Sequence, residues 1–70
     1  MPDFVCNKQK DDKGRHEVHV VTCSHRPSII NSLEMGWYTD CSAAIKDMEK
    51  QNPYHEFDGC YYCCYPCHKG

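Results

Sequence analysis

Leucine is nearly missing from this 70-residue chain. Leu33 stands alone, and isoleucine occurs only at positions 29, 30 and 45. A chain this short with so few branched aliphatics buries too little apolar surface to fold on burial alone, so a covalent or metal staple is expected. Long apolar runs are missing too. No stretch approaches the roughly 18 residues that span a bilayer. Met1-Pro2-Asp3-Phe4-Val5-Cys6-Asn7-Lys8 lacks the apolar segment of a signal peptide, so the expectation is a cytoplasmic protein with no membrane role. Nor does charge of one sign dominate. Eight Lys/Arg face ten Asp/Glu, a formal net charge of −2, which is no footprint for nucleic acid. The basic cluster Lys8, Lys10, Lys13 and Arg15 is interrupted by Asp11 and Asp12 and reads as a solvated turn.

Catalytic signatures are absent as well. There is no Ser/His/Asp pattern, no glycine-rich phosphate loop and no nucleotide motif. His16-Glu17-Val18-His19 superficially matches a zinc-protease His-Glu-x-x-His, but the second histidine comes one residue early. The segment also reads as a strand, on which the two rings diverge. The expectation is a protein that is not an enzyme.

What is abundant is cysteine, seven residues, accompanied by five histidines. Four of the cysteines crowd the tail Asp58-Gly59-Cys60-Tyr61-Tyr62-Cys63-Cys64-Tyr65-Pro66-Cys67-His68-Lys69. Two Cys-x2-Cys pairs interlock there, Cys60/Cys63 and Cys64/Cys67. Such a knuckle lets two thiolates converge on one tetrahedral ion while backbone amides point at the sulfurs. A thioredoxin-like role for the motif would need a helix starting at its first cysteine, and Pro66 and the end of the sequence leave no room for one. Dense cysteine in a secreted chain would mean disulfides, yet an odd number leaves one thiol over, and histidine adds nothing to a disulfide framework. Metal is therefore favoured over disulfides, with one Zn2+ per chain.

Along the chain, Phe4-Val5-Cys6 and His16 to Thr22 read as two strands of a β-hairpin with a wide polar loop, Asn7 to Arg15, between them. Regular alternation would put His16, Val18, Val20 and Thr22 on one face, and Glu17, His19, Val21 and Cys23 on the other. Arg26-Pro27-Ser28 breaks regular structure, Ile29-Ile30 could anchor a loop, and Gly36-Trp37-Tyr38 could form a short third strand. Thr39 or Asp40 caps a helix predicted from about 40 to 51, with Cys41, Ala44, Ile45 and Met48 at helical spacing. Asn52-Pro53 ends it. The architecture expected is a single small α+β domain over residues 1–70, with a hairpin or three-stranded sheet, one helix and a Cys-rich C-terminal zinc knuckle. Its core would be Val5, Val18, Val20, Ile30, Trp37, Cys41, Ala44, Ile45 and Met48.

Cys60 and Cys63 are the leading ligand candidates, against a plain reduced or disulfide-bonded pair. His19 and Cys23 are the partner pair, with a geometric condition. Four residues of extended strand span about 13 Å, so the chain must turn near Thr22-Cys23 for both to reach one ion. Cys67 and His68 are secondary candidates, of which adjacency admits at most one. Cys64 is expected to point away as a free thiol. Cys41 and Cys6 are expected to be small core residues. Tyr61, Tyr62 and Tyr65 are expected to cover the site, the alternative being a partner surface.

These residues carry a resemblance. Gly14, His16-Glu17-Val18-His19, Cys23, Pro27, Asn31, Gly36, Cys41, Ala44-Ile45, Gly59-Cys60-Tyr61-Tyr62-Cys63, Cys67 and His68 together resemble a group of small uncharacterised bacterial Cys/His-rich proteins. Leu33-Glu34-Met35 departs from the Tyr-Leu-Gly run usual there, as does the Lys69-Gly70 end. The resemblance implies a stand-alone domain and lends no function. In the order of its elements the chain is also similar to the zinc module of adaptive-response DNA-repair proteins, but without a basic surface. Three functions stay open: a non-enzymatic, zinc-stabilised binding module for a protein partner; a disulfide-stapled exported toxin or inhibitor; and a thiol metal carrier or sensor.

Overall fold

In the computed structural model, which describes residues 3–70, a polar loop between two short apolar segments sets the geometry. Strand β1 (Asp3–Asn7) runs antiparallel to β2 (Arg15–Val20), pairing Phe4 with Val20, Val5 with His19 and Cys6 with Val18. The loop between them is tied by Asp11, whose Oδ1 accepts the amides of Lys13 and Arg15, each at 2.9 Å. Those contacts and the nearby cations hold its carboxyl below the usual range, the Arg15 amide contributing most.

Four strands form the sheet, in the order β3-β1-β2-β4. Strand β3 (Ser32–Trp37) extends further toward the N-terminus than the three residues Gly36-Trp37-Tyr38 suggest. Its pairing with β1 shifts register at Phe4/Val5. Gly36 sits opposite Phe4 there with φ of 95°, a backbone state that side-chain-bearing residues resist. Strand β4 (Glu56–Gly59) goes beyond the hairpin or three-stranded sheet expected from sequence. It lies parallel to β2, with His16 opposite Phe57 and Val18 opposite Gly59. A parallel partner requires a long crossover, and the chain makes it through β3 and the helix.

Helix α1 (Cys41–Gln51) starts where Asp40 accepts the Ala43 amide at 2.8 Å, and ends where the Asn52 amide reaches Met48 O ahead of Pro53. Its buried stripe of Ala44, Ile45 and Met48 packs against Phe4, Cys6, Val18 and Phe57. No helix among the described residues is long and apolar enough to cross a membrane.

Two expected core residues are misplaced. Ile30 is 82% exposed and Trp37 49% exposed. Both lie on the β3 side of the sheet, where no second layer covers them. Phe4, Cys6, Phe57, Cys60 and Cys64 are buried instead. Small sulfur-bearing side chains thus fill volume that leucine fills in larger domains.

Candidate metal centre

His19 occupies the sheet face opposite the helix, paired across β1–β2 with Val5, and is fully buried. Strand β2 stops one residue later. The Cys23 amide then bonds Val20 O at 3.0 Å, closing a four-residue turn over Val21-Thr22. That turn is the condition the His-x3-Cys spacing required, and it folds Cys23 back toward His19. From the other side, the Cys60 amide bonds Val18 O at 2.9 Å, so the parallel ladder carries Cys60 in one step past β4. The Cys64 amide returns to Cys60 O at 2.8 Å, curling the tail so that Cys63 faces the same point.

His19, Cys23, Cys60 and Cys63 therefore converge, each offering one donor atom, with all four atoms within 4.8 Å of one another. This cluster could hold a metal ion. A three-sulfur, one-nitrogen set suits tetrahedral ions with an affinity for thiolate. Each sulfur also receives a backbone amide at 3.4 Å: His25 N–H donates to Cys23 Sγ, Tyr62 N–H to Cys60 Sγ and Val20 N–H to Cys63 Sγ. The Cys23 and Cys60 bonds share one local form, in which the amide two residues on turns back to the sulfur. Amides aimed at sulfur favour the thiolate over the thiol.

The fit to an ion rests on His19. Neither ring nitrogen makes a hydrogen bond, although both are buried. Glu17 Oε1 approaches Nε2 to 3.0 Å, but off the direction that a hydrogen bond requires. An orphaned buried imidazole costs on the order of 1–3 kcal/mol, and a coordinate bond from one nitrogen removes half of that deficit. Burial, then the charges of His25 and Arg26, holds the His19 pKa below its ordinary value. The ring is thus neutral, as a ligand must be. Burial also pushes the Cys63 thiol up, with the neighbouring sulfurs of Cys23, Cys64 and Cys60 adding to the rise. Three sulfurs at this spacing resist sharing negative charge unless a cation sits among them.

The other candidates lie elsewhere. Cys67 is joined to Cys41 by a disulfide, with Cα atoms 6.5 Å apart. Cys67 is thereby withdrawn from any ligand role, and Cys41 is a cross-link rather than only a filler of the helix stripe. His68 donates from Nδ1 to Gly59 O at 2.9 Å and stands apart from the cluster. Cys64 is free but buried, its Sγ 3.8 Å from that of Cys63, closer than a side chain pointing away would be. Cys6 is a free, buried core thiol.

The tyrosines do not seal the site. Tyr61, Tyr62 and Tyr65 are each more than half exposed. They pack on one another edge to face, and Tyr62 stacks on His25 at 3.9 Å between centroids. The sequence treated these rings as cover because aromatic residues flanked the cysteines. The structure places them outside, Tyr61 and Tyr62 on the short Cys60–Cys63 turn and Tyr65 at the start of the next one.

Gly59 and Asp58 complete the frame. A Cβ on Gly59 would lie 2.5 Å from Cys64 O and 2.7 Å from Cys67 Cβ, so the tail crosses directly over a residue without a side chain. The buried Asp58 carboxylate accepts the Lys69 amide at 2.6 Å and lies 3.7 Å from the Arg15 guanidinium, anchoring the tail's far end. No family model, curated protein or solved structure matches the chain.

Proposed function

We propose that the protein is a non-enzymatic binding module whose fold is held by one structural Zn2+ on His19, Cys23, Cys60 and Cys63. The observation that carries this reading is the closed donor set. All four positions of a tetrahedral site are filled by buried or half-buried protein side chains, which leaves none for water or substrate. Catalytic zinc needs an open position, and a carrier needs an exchangeable one. The ion would neutralise three thiolates and join the end of β2 to the tail. The exposed Tyr61, Tyr62 and Tyr65 cluster is the surface offered to a protein partner, because rings held by one another give contact area at little entropic cost.

A second reading has an observation of its own. The Cys41–Cys67 disulfide favours an exported, disulfide-stapled protein, since such bonds persist in oxidising compartments. Mass spectrometry under native and then denaturing conditions separates the two. The expected result is one zinc in the native mass, lost on denaturation. Well under half an equivalent of any transition metal in folded protein would refute the zinc reading. Further disulfides among Cys23, Cys60 and Cys63 would establish the second.

A further inference from the structure

A pair of histidines lies on the helix side of the sheet, away from the four-residue cluster. His16 Nε2 and His55 Nδ1 are 3.2 Å apart. Their positions are fixed by different elements. His16 belongs to β2, opposite Phe57 of β4, and its ring lies 5.4 Å from that of Phe57. His55 closes the turn that follows the helix, its amide bonded to Asn52 O at 3.0 Å across Pro53-Tyr54. The other nitrogen of His16, Nδ1, is 2.9 Å from Asn7 O. A carbonyl oxygen only accepts, so Nδ1 carries the proton and the neutral ring presents its lone pair at Nε2, toward His55.

From these positions we infer that His16 and His55 form a second metal site, for one divalent late first-row transition ion. Two nitrogens each about 2.05 Å from a common ion are separated by about 2.9 Å at a right angle and about 3.4 Å at the tetrahedral angle. The observed separation falls between these limits. The Nδ1–H bond to a backbone carbonyl is the arrangement that fixes a ligating imidazole and raises its basicity. Both rings border a cavity of about 200 Å³, also lined by Asn7, Cys6, Met48 and Phe57. There the ion's remaining positions would hold water. Asn7 Oδ1 is buried with no hydrogen-bond partner, and a metal-bound water is the kind of donor it lacks. With two protein ligands instead of four, this site would bind more weakly and exchange readily, the property that the cysteine cluster's closed set denies.

The competing account is an N–H···N hydrogen bond between the rings, with no metal affinity. Calorimetric titration of the protein already carrying one Zn2+ with further Zn2+ decides between them, read together with ring-nitrogen NMR shifts. A second, weaker equivalent is expected, shifting His16 Nε2 and His55 Nδ1 while leaving His19 unmoved. His16→Ala and His55→Ala should each weaken it at least about tenfold, the scale on which even outer-shell losses act. His55 is exposed, so its variant tests the site without loading the fold. Absence of a second equivalent, or one that survives both substitutions, would overturn the assignment.

Discussion

Removing the Cys41–Cys67 disulfide should cost stability and leave the metal in place. The two cysteines are 26 residues apart. Closing a loop of that size removes unfolded-chain entropy worth about 3.5 kcal/mol at 25 °C. That is a large fraction of what a 70-residue fold keeps, but small beside the roughly 10 kcal/mol or more that structural zinc supplies. Coupling between the staples follows from the same topology. Cys23 and Cys60 are 37 residues apart along the chain. With the disulfide intact, the path between them through Cys41 and Cys67 shortens to about 25 residues, easing closure by only about 0.35 kcal/mol, or about twofold in metal affinity. The double variant Cys41→Ala/Cys67→Ala should therefore lose about 3 kcal/mol of unfolding free energy in urea melts of the zinc form. Its zinc affinity, by chelator competition, should fall no more than about threefold. A loss of affinity beyond about tenfold would refute the separation of the two staples. It would mean that the disulfide positions the ligands rather than restraining the unfolded chain.

Cys60→Ser and Cys63→Ser should each release the metal and unfold the domain, read by elemental analysis and circular dichroism. Cys6→Ser, a hydroxyl buried in the core without a partner, should cost roughly 1–3 kcal/mol in chemical melts and keep the metal. Gly59→Ala should destabilise by about 2–3 kcal/mol or more despite the unfolded-state gain that alanine brings, because two backbone-anchored neighbours must retreat by well over half an ångström; an unchanged urea midpoint would contradict the close crossing. Acid should weaken the zinc form, beginning below about pH 8.5 where the unfolded chain's three ligand thiols take up protons and continuing through the histidine range near about pH 6.5. The native His19 ring resists protonation while the unfolded ring accepts it, so the unfolded state binds more protons and stability falls with pH; a urea midpoint flat between about pH 7 and about pH 5 would contradict this.

How much of this could be read beforehand varies with the range of the interaction. The helix was legible because its signals are local: Asp40 as cap, the 41-44-45-48 stripe, and Asn52-Pro53 as the stop. Strand β4 was not. Phe57 is its only large apolar residue, and parallel pairing with β2 is decided forty residues away. Ile30 and Trp37 looked like core by residue type, yet a chain this small cannot cover both faces of its outermost strand. At the candidate metal centre, Cys60 and Cys63 were visible as a knuckle, and His19 with Cys23 as a conditional pair. The spacing posed the condition but could not supply the turn at Val20–Cys23 that meets it. The Cys41–Cys67 bond was beyond reach, since periodicity accounts for Cys41 equally well as core, and nothing local ties position 41 to position 67.

The tail explains why four cysteines close together do not compete for one role. Backbone hydrogen bonding separates them. Cys60 is fixed as the next rung after β4, and the Cys64 amide bonds back to Cys60 O. That curl turns Cys63 toward the cluster and leaves Cys64 buried behind it. The Cys67 amide then bonds Cys64 O, one turn further on, which brings Cys67 over Gly59 and within reach of the helix at Cys41. Each cysteine's chemistry thus follows from which carbonyl its neighbouring amide finds. A change that disturbs this curl, as a side chain at Gly59 would, strikes the ligand pair and the disulfide together. Substituting Cys41 or Cys67 strikes only the disulfide.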